Sequence, residues 1–535
     1  MCCRLRLGAS GRIEVVSPYD AVTWAQLRAI RPRGHWRQTA GCWEFPLEAA
    51  LALAQLLAGR FPIESELQQW LIWCQQPLPP LPPHRDLVAA AQLELPLADG
   101  RRLYAHQRAA VRWLLARRGA VLADAMGLGK TLSALVAARA MVRLADCRLV
   151  VLAPVGLHGH WRAEAAALGL RLELHSWARP PLELPPAGTV LIVDEAHYAQ
   201  NAHTNRSRAL LRLARHPRLR AIWLLTGTPM KNGRPVQLWP LLAAIDHPLA
   251  RDQRAYEELF CQGHWRQQGG RMRWQADGAS RLEELQRLTR PLLLHRRKQD
   301  CLDLPPKRRR LLPVELGEAE GLGFQHRLER AVEDYRRRAA LGEVRRDAEA
   351  LAVLTALRRI ASDYKLSATS DLVGELLRHG EAVVVFSSFL HTAGMLQRQL
   401  APLAAGCLLT GALAPALRQR QVDRFQAGET PLLIATYGTG GLGFTLHRAR
   451  HVVLVERPWT PGDAEQAEDR AHRIGMGGSL TCHWLQLGVV DQLVDGLIAS
   501  KAERIELVLG ARRRQLRRRP LPEMVRELLA DWGAA

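Results

Sequence analysis

The segment Asp124-Ala-Met-Gly-Leu-Gly-Lys130-Thr131 gives the strongest indication of how this chain folds, because it has the spacing of a phosphate-binding loop. It follows the apolar run Gly119-Ala-Val-Leu-Ala123 and precedes Leu132-Ser-Ala-Leu-Val-Ala-Ala138, an order that predicts strand, loop and helix. The glycines let backbone N–H groups point into one anion site, and the helix N-terminus adds partial positive charge. The segment therefore predicts a phosphate site, although Asp124 stands where the general pattern has glycine.

Composition supports a special role for Lys130. The chain has only six lysines, so 68 of its 74 basic residues are arginine, and a lysine is rarely needed merely for surface charge. A compact ammonium fits where the planar arginine fork does not. Lys130 is expected to reach the β and γ phosphates, and the Thr131 hydroxyl to bind Mg²⁺. A similar loop that binds no nucleotide is the alternative.

A second segment, Thr189-Val-Leu-Ile-Val-Asp194-Glu195, predicts the chemistry. Its apolar run reads as a buried strand, so the two carboxylates lie at the strand's C-terminal tip. Asp194 is expected to hold Mg²⁺, and Glu195 to orient and deprotonate the attacking water. Solvated acids at a strand end are common by themselves. After a phosphate-binding loop, they favour ATP hydrolysis.

Eight segments, taken in order, resemble the motifs of one family, the Swi/Snf-type DNA-dependent ATPases of helicase superfamily two. They lie at 103–107, 124–131, 151–164, 194–201, 225–232, 383–388, 440–446 and 466–475, with a segment resembling the link between two motor lobes at 295–307. The first motif of that family itself carries Asp where the general loop has Gly, which accounts for Asp124. The resemblance covers about 100 to 500 and implies an α/β fold of two RecA-like lobes, each a parallel sheet flanked by helices, with helical insertions.

The resemblance also implies the cofactors ATP and Mg²⁺ and assigns site residues. The ATP-binding residues are expected to be Gln107, Asp124, Met126, Gly127, Leu128, Gly129, Lys130, Thr131 and Gly443, with Thr131 and Asp194 as metal ligands. The catalytic residues are expected to be Lys130, Glu195, Arg470 and Arg473, and the coupling residues Thr226, Thr228 and Gln466. DNA phosphates are expected near His158, Ser387 and Thr436.

Arg470 and Arg473 also have a physical argument in their favour. They are three residues apart, so on a helix they project from one face. Phosphoryl transfer builds charge on the γ-phosphate oxygens, which arginines supplied across a cleft stabilise. A solvated basic helix face is the alternative. Because these arginines lie more than 300 residues after Lys130, we expect a site divided between two lobes, so that hydrolysis depends on lobe closure.

The branch of the family is indicated by finer features. Family members commonly carry Asn at the position of Thr445 and Asp at that of Glu456, and the combination here resembles the fork-remodelling, strand-annealing HARP-domain branch. Residues 15–46, with Trp36 and Trp43, resemble the small HARP module that precedes the motor in that branch. A small α+β domain whose tryptophans are only core is the alternative. Met476 replaces the Gln that usually closes the last motif.

Proline-rich stretches and changes in composition along the chain predict six regions. They are a HARP-like α+β domain at 1–75, a Pro-rich linker at 76–97, lobe one at 98–300 with a helical insertion, a helical protrusion and inter-lobe link at 301–366, lobe two at 367–508, and a basic tail at 509–535. The scattered cysteines lack a C-x-x-C pair, which indicates a reducing compartment. We expect a cytoplasmic monomer, nucleoid-associated in a prokaryote, with no membrane segment.

The net charge of +22 fits a nucleic-acid partner. The resemblance makes that partner double-stranded or branched DNA, with single-stranded-DNA-binding or replication proteins as possible protein partners. We expect an ATP-dependent duplex-DNA translocase that remodels or re-anneals branched DNA such as stalled forks. A motor that remodels a protein–nucleic-acid complex such as stalled RNA polymerase is the first alternative, and a non-enzymatic DNA-binding scaffold is the second.

Overall fold

The computed structural model of the chain describes residues 3–8, 11–268, 270–340, 346–440 and 444–509. The chain divides into two units, the first made of Met1–Met230 and Arg234–Cys301 and the second of Lys231–Gly233 and Leu302–Ala535. Of the predicted basic tail at 509–535, all but the first residue lies outside the described residues. None of the helices in the described ranges has an apolar stretch long enough to cross a bilayer.

The first unit begins with a small α+β module. Its elements are β1 (Arg4–Leu7), β2 (Ile13–Val16), α1 (Ala21–Ala29), β3 (His35–Arg37), β4 (Cys42–Phe45), α2 (Ala50–Leu56) and α3 (Ser65–Gln75). The strands form an antiparallel sheet in the order β1-β2-β4-β3. Ile13 and Val15 are fully buried while the residues after each are partly exposed, the alternation of a sheet with one covered face. Trp43 packs in this core.

The rest of the first unit is built on a parallel sheet. Its elements are α4 (His84–Ala90), α5 (Ala105–Leu115), β5 (Gly119–Leu122), α6 (Lys130–Ala145), β6 (Arg148–Ala153), α7 (His158–Ala167), β7 (Glu173–Ser176), β8 (Thr189–Val193), α8 (Asn205–Ala214), β9 (Leu219–Leu225), α9 (Trp239–Ala244), α10 (Gln253–Phe260), β10 (His264–Gln268), β11 (Arg271–Gln275), α11 (Leu282–Thr289) and β12 (Leu293–Leu294). Six parallel strands lie in the order β12-β5-β9-β8-β6-β7. Every residue of β8 and β9 is buried, as expected for a parallel sheet covered on both faces.

Residues 264–275 of this unit, which are rich in Trp, Gln and Arg, form a separate two-stranded hairpin. The strands β10 and β11 pair antiparallel and belong to neither larger sheet. They lie between α10 and α11, so the insertion here contains strands as well as helices.

The second unit has its own parallel sheet. Its elements are β13 (Lys307–Pro313), α12 (Glu318–Ala340), α13 (Arg346–Tyr364), α14 (Leu366–Arg378), β14 (Val383–Ser387), α15 (Leu390–Leu400), β15 (Cys407–Leu409), α16 (Pro415–Ala427), β16 (Leu432–Thr436), α17 (Tyr437–Gly440), β17 (His451–Leu454), α18 (Pro461–Ala471), β18 (Leu480–Gln486) and α19 (Gly488–Leu509). The strand order is β13-β18-β17-β14-β16-β15. Two helix-flanked parallel sheets after a small antiparallel module confirm the predicted fold class.

Candidate nucleotide-binding site and motor residues

The predicted phosphate-binding loop connects β5 to the N-terminus of α6. Gly127 and Gly129 have φ angles of 85° and 73°, a left-handed conformation that favours glycine. Lys130 is the first residue of α6, and its Nζ donates to the backbone oxygens of Asp124, at 2.7 Å, and Ala125, at 3.3 Å. The loop therefore has the turn, the helix N-terminus and the ammonium that a phosphate site requires.

Asp124 has a different role from that of the glycine it replaces. Its side chain is buried, and Arg296 donates to both carboxylate oxygens, with Nε 2.9 Å from Oδ1 and Nη2 2.5 Å from Oδ2. Arg296 also donates from Nη1 to the backbone oxygen of His106, at 2.7 Å. This bidentate pair connects the loop to the chain segment after β12, so Asp124 helps to hold the loop in place.

Gln107 lies against the same loop. Its Oε1 accepts from the backbone N–H of Tyr104 at 3.0 Å, and its Nε2 is 3.5 Å from the Leu128 oxygen. A Cβ atom placed on Gly129 would lie 2.2 Å from that Nε2, so only glycine fits there with Gln107 in this position. The predicted adenine reader and the phosphate loop are thus in contact.

Asp194 follows β8 at the carboxyl edge of the sheet and is buried. Its Oδ2 accepts from Trp161 Nε1 at 2.8 Å, and its Oδ1 accepts from the Glu195 backbone N–H at 2.9 Å. Trp177 Nε1 donates to the Asp194 backbone oxygen at 3.0 Å. Burial, followed by the charge of Glu195, raises the pKa of Asp194 to about 6, while Lys130 opposes the shift.

Glu195 has an unusual backbone. Its φ and ψ are 48° and 49°, a left-handed conformation that costs energy for a residue other than glycine. One carboxylate oxygen, Oε2, lies 3.1 Å from His197 Nδ1. Such strain persists only where the surroundings impose it, and here it turns the chain sharply directly after the strand.

The segment 225–232 begins at the end of β9 and lies beside the phosphate loop. A Cβ atom on Gly227 would lie 2.8 Å from Met126 Cγ and 3.7 Å from Lys130 Nζ, so this turn lies beside the phosphate loop. Buried Thr226 accepts from the Thr228 backbone N–H at 3.0 Å, and the Thr228 oxygen accepts from Gln200 Nε2 at 2.7 Å. The Thr226 hydroxyl therefore stabilises the turn that contains Thr228.

These residues fit a Mg²⁺ ion held by Asp194 with Thr131. Each carboxylate oxygen of Asp194 accepts one protein hydrogen bond and has a second lone pair. Burial raises the pKa of this carboxyl, and a divalent cation bound there would supply opposing positive charge. Thr131, the second residue of α6, is partly exposed. No group of three His, Cys, Asp or Glu that could hold a metal ion is found among the described residues.

The remaining predicted motor residues belong to the second unit. Arg470 is buried near the end of α18, and Arg473 donates from Nη1 to Thr445 Oγ1 at 2.8 Å and from Nε to the Asp469 oxygen at 3.1 Å. Gln466, on the same helix, is buried. Gly443 lies outside the described residues.

The three predicted DNA contacts have different environments. His158 begins α7, is partly exposed, and places Nε2 3.2 Å from the Ala153 oxygen. Thr436 is partly exposed, and its hydroxyl hydrogen-bonds Thr439. Ser387 is fully buried, and its hydroxyl lies 3.1 Å from a carboxylate oxygen of Glu456. Ser387 ends an interior strand of the sheet, and its contact with a DNA phosphate stays a prediction.

Three positioning residues were not singled out from the sequence. Trp161 and Arg296 lay inside recognised segments, but nothing in their spacing indicated that they bind Asp194 and Asp124. Trp177 carried no signal at all. Each reaches its partner from a different part of the chain, so only the folded sheet brings them together.

Comparison with known proteins agrees with this geometry. A model of the SNF2-related domain matches residues 186–366, and one of the helicase conserved C-terminal domain matches residues 364–475. Residues 186–475 therefore match, in order, the two domains of an SNF2-type motor. These are the two domains of DNA-dependent ATPases of helicase superfamily two, which confirms the predicted enzyme class of the motor.

Several individual proteins are similar to this chain. It is 31% identical over 334 residues to the human DNA annealing helicase and endonuclease ZRANB3, covering 61% of this chain and 30% of that protein. It is 26% identical over 457 residues to the putative ATP-dependent helicase/translocase YwqA of Bacillus subtilis, covering 74% and 47%. The Sulfolobus solfataricus SWI2/SNF2 ATPase core, solved in complex with dsDNA, is 21% identical with a TM-score of 0.35, covering 79% and 100%. The chain thus spans less than half the length of either curated relative.

Proposed function

We propose that this chain is an ATP-dependent translocase on double-stranded DNA that remodels or re-anneals branched DNA such as stalled replication forks. The observation that carries the ATPase part is the convergence of Lys130, Asp194 and Glu195 at one edge of a parallel sheet. The branched substrate is supported by the similarity to the annealing helicase ZRANB3 and by the aromatic N-terminal module.

Different residues of the first unit bind the phosphates and activate the water. Lys130 exchanges its backbone carbonyl partners for phosphate oxygens, and the loop N–H groups bind the same anion. When bound, Mg²⁺ neutralises charge on the β and γ phosphates. Glu195, which directly follows Asp194 at the end of β8, orients water and takes its proton.

Motion on DNA requires the second unit in this proposal. Arg470 and Arg473 stabilise the charge of the transferred phosphoryl group. The cycle of nucleotide binding and hydrolysis then advances the DNA backbone. Contacts with phosphates rather than bases make such movement independent of sequence.

Steady-state ATPase rates test the proposal. Rates are measured without nucleic acid and with single strands, linear duplex, forked DNA, duplex RNA and stalled RNA polymerase complexes, for the wild type, Lys130→Ala and Glu195→Gln. We expect forked DNA to stimulate the wild type most. Both variants should lose about 100-fold or more in rate, which is the usual effect of removing a phosphate contact or a general base. A Lys130→Ala variant with wild-type stimulated activity contradicts the proposal.

The same rates decide between the alternatives. Equal stimulation by linear and forked duplex leaves a translocase without branch preference. Stronger stimulation by polymerase complexes favours a motor that remodels protein–nucleic-acid complexes. Binding to DNA with no turnover favours a scaffold.

A further inference from the structure

The two-stranded hairpin on the first unit has two chemically different faces. Its strands β10 and β11 place Trp265 opposite Trp274 and Arg266 opposite Arg273. Successive side chains of a strand point to opposite faces. One face therefore carries Trp265, Gln267, Met272 and Trp274, and the other carries His264, Arg266, Arg271 and Arg273. None of these residues belongs to a motor motif.

The aromatic face anchors the hairpin to α10. The Arg254 guanidinium lies 4.7 Å from the Trp265 ring centroid and 4.0 Å from that of Trp274. Trp274 Nε1 donates to Glu257 Oε2 at 2.5 Å. Because an isolated two-stranded hairpin is only marginally stable in water, these contacts give it a fixed position.

The arginine face is exposed and has no compensating acid. Arg266, Arg271 and Arg273 are all exposed, and the sequence from 264 to 275 contains no Asp or Glu. No ion pair of these arginines is found within the described ranges, and the nearby Asp277 is paired with Arg234 at 2.8 Å. Like charges placed directly opposite each other, as Arg266 and Arg273 are, destabilise a hairpin. A bound polyanion would turn this repulsion into attraction.

We propose that the arginine face of the hairpin binds the phosphate backbone of DNA, as a contact separate from the motor motifs. The arginine fork matches phosphate oxygens in pairs. The described side chains of this face include no apolar group, whereas a protein partner requires an apolar centre to its interface. The proposal rests on the proposed function, because it takes DNA as the partner.

The test measures DNA affinity without nucleotide, so that it does not depend on hydrolysis. Fluorescence anisotropy with labelled duplex and forked DNA is recorded at several salt concentrations for the wild type and for Arg266→Gln/Arg271→Gln/Arg273→Gln. Each phosphate contact contributes about 0.9 to the slope of log affinity against log salt. We expect the triple variant to lose about 2 to 3 units of that slope and on the order of tenfold in affinity.

Two control variants separate a site from a general charge effect. Arg143→Gln/Arg148→Gln/Arg171→Gln removes the same charge from other exposed arginines of the first unit and should keep the wild-type slope. Replacing Arg266, Arg271 and Arg273 by lysine keeps the charge, so this variant should retain most of the wild-type slope. All six substituted side chains are exposed, so the melting temperatures should match the wild type.

The outcomes distinguish this proposal from the proposed function. An unchanged slope in the hairpin variant, or an equal fall in the Arg143/Arg148/Arg171 control, overturns the hairpin site. Loss of slope in the hairpin variant alone supports it, even if forked and linear DNA stimulate hydrolysis equally. A wild-type protein that does not bind DNA overturns both.

Discussion

At the scale of single residues, the phosphate loop depends on an ion pair that its own sequence does not contain. Asp124 and Arg296 are 172 positions apart and form a bidentate pair, with the Asp124 side chain 2% exposed and that of Arg296 19% exposed. A carboxylate buried to this extent requires a partner, because the desolvation of an unpaired charge is costly. The Asp of the first motif is therefore a structural anchor for the loop.

Breaking this pair should destabilise the first unit. We expect Arg296→Ala to lower the free energy of unfolding by about 3 to 5 kcal/mol, because it leaves a buried charge unpaired. Urea denaturation followed by circular dichroism measures the change. Arg296→Ala/Asp124→Asn should recover part of the loss, since no charge then remains buried. A double variant less stable than Arg296→Ala would show that the pair is not the cause.

The Trp161 indole should matter for metal use in addition to its packing in the core. Trp161→Phe removes the hydrogen bond to the Asp194 carboxylate, so we expect a 10- to 100-fold higher Mg²⁺ requirement or lower turnover, as for other groups that orient a metal ligand. Trp177→Phe is the matched control, because its indole binds only the backbone oxygen of Asp194. ATPase rates against Mg²⁺ concentration give the comparison. Equal effects of the two variants would argue against a role through the carboxylate.

At the scale of elements, a buried histidine of the motor packs against two tryptophans at the end of the N-terminal module. His216 follows α8 and is 2% exposed, with the rings of Trp70 and Trp73 of α3 at centroid distances of 4.9 and 4.7 Å. Burial, followed by the charges of Arg218 and Arg212, lowers the pKa of His216 to about 3. Neutral histidine is the form that this contact requires.

Stability should therefore fall on acidification. Below pH 6.5 the unfolded chain binds a proton at this residue, whereas the folded chain stays neutral down to about pH 3, so stability is lost between these values. At pH 5 the loss is about 2 kcal/mol. Unfolding free energies of the wild type and His216→Gln at pH 7 and pH 5 test this. The variant should show the smaller pH dependence, and identical dependence would contradict the assignment.

A second element-scale feature explains an unusual residue of the second unit. Buried Glu456, where the family commonly has Asp, accepts from the Ser388 backbone N–H at 2.7 Å and also hydrogen-bonds the hydroxyls of Ser387 and Ser362. Ser362 belongs to α13, so the longer side chain joins the predicted protrusion to the parallel sheet. Burial raises the pKa of Glu456.

At the scale of the whole molecule, the N-terminal module and the parallel sheet that follows it share one unit. Beyond the tryptophan contact, Glu48 pairs with Arg215 at 3.1 Å, and Gln76 hydrogen-bonds Arg218. Deleting the module is therefore not a neutral way to test its role in DNA choice, because it uncovers buried surface of the motor.

Deletion of residues 1–75 should lower the melting temperature of the motor by several degrees, since the buried His216 contact is lost and apolar surface is exposed. Differential scanning calorimetry measures the change. Arg215→Gln removes only a partly exposed ion pair and should leave the melting temperature within about one degree. An unchanged melting temperature after the deletion would mean that the module contributes nothing to motor stability.

Sequence motifs predicted the site where its chemistry is local. The loop at 124–131 and the acids after β8 have their expected positions on the sheet, because a strand, a glycine turn and a helix N-terminus are written in neighbouring residues. The same reasoning does not show that Ser387 is buried, because the burial of a strand end depends on what covers it. It also missed Trp161, Trp177 and Arg296, whose roles depend on distant partners. The domain limits and the roles of the site residues remain predictions.

The sequence by itself determined the two α/β lobes, the small α+β domain before them and the motor family, because hydrophobic periodicity and motif spacing act over short stretches of chain. Only the tertiary structure decided which side chains support the catalytic groups, how α3 packs on His216, and that the arginines of β10 and β11 share one exposed face. The physical reason is that buried pairing and strand register join residues far apart in the chain. Their energies come from burial and from partners that local sequence does not specify.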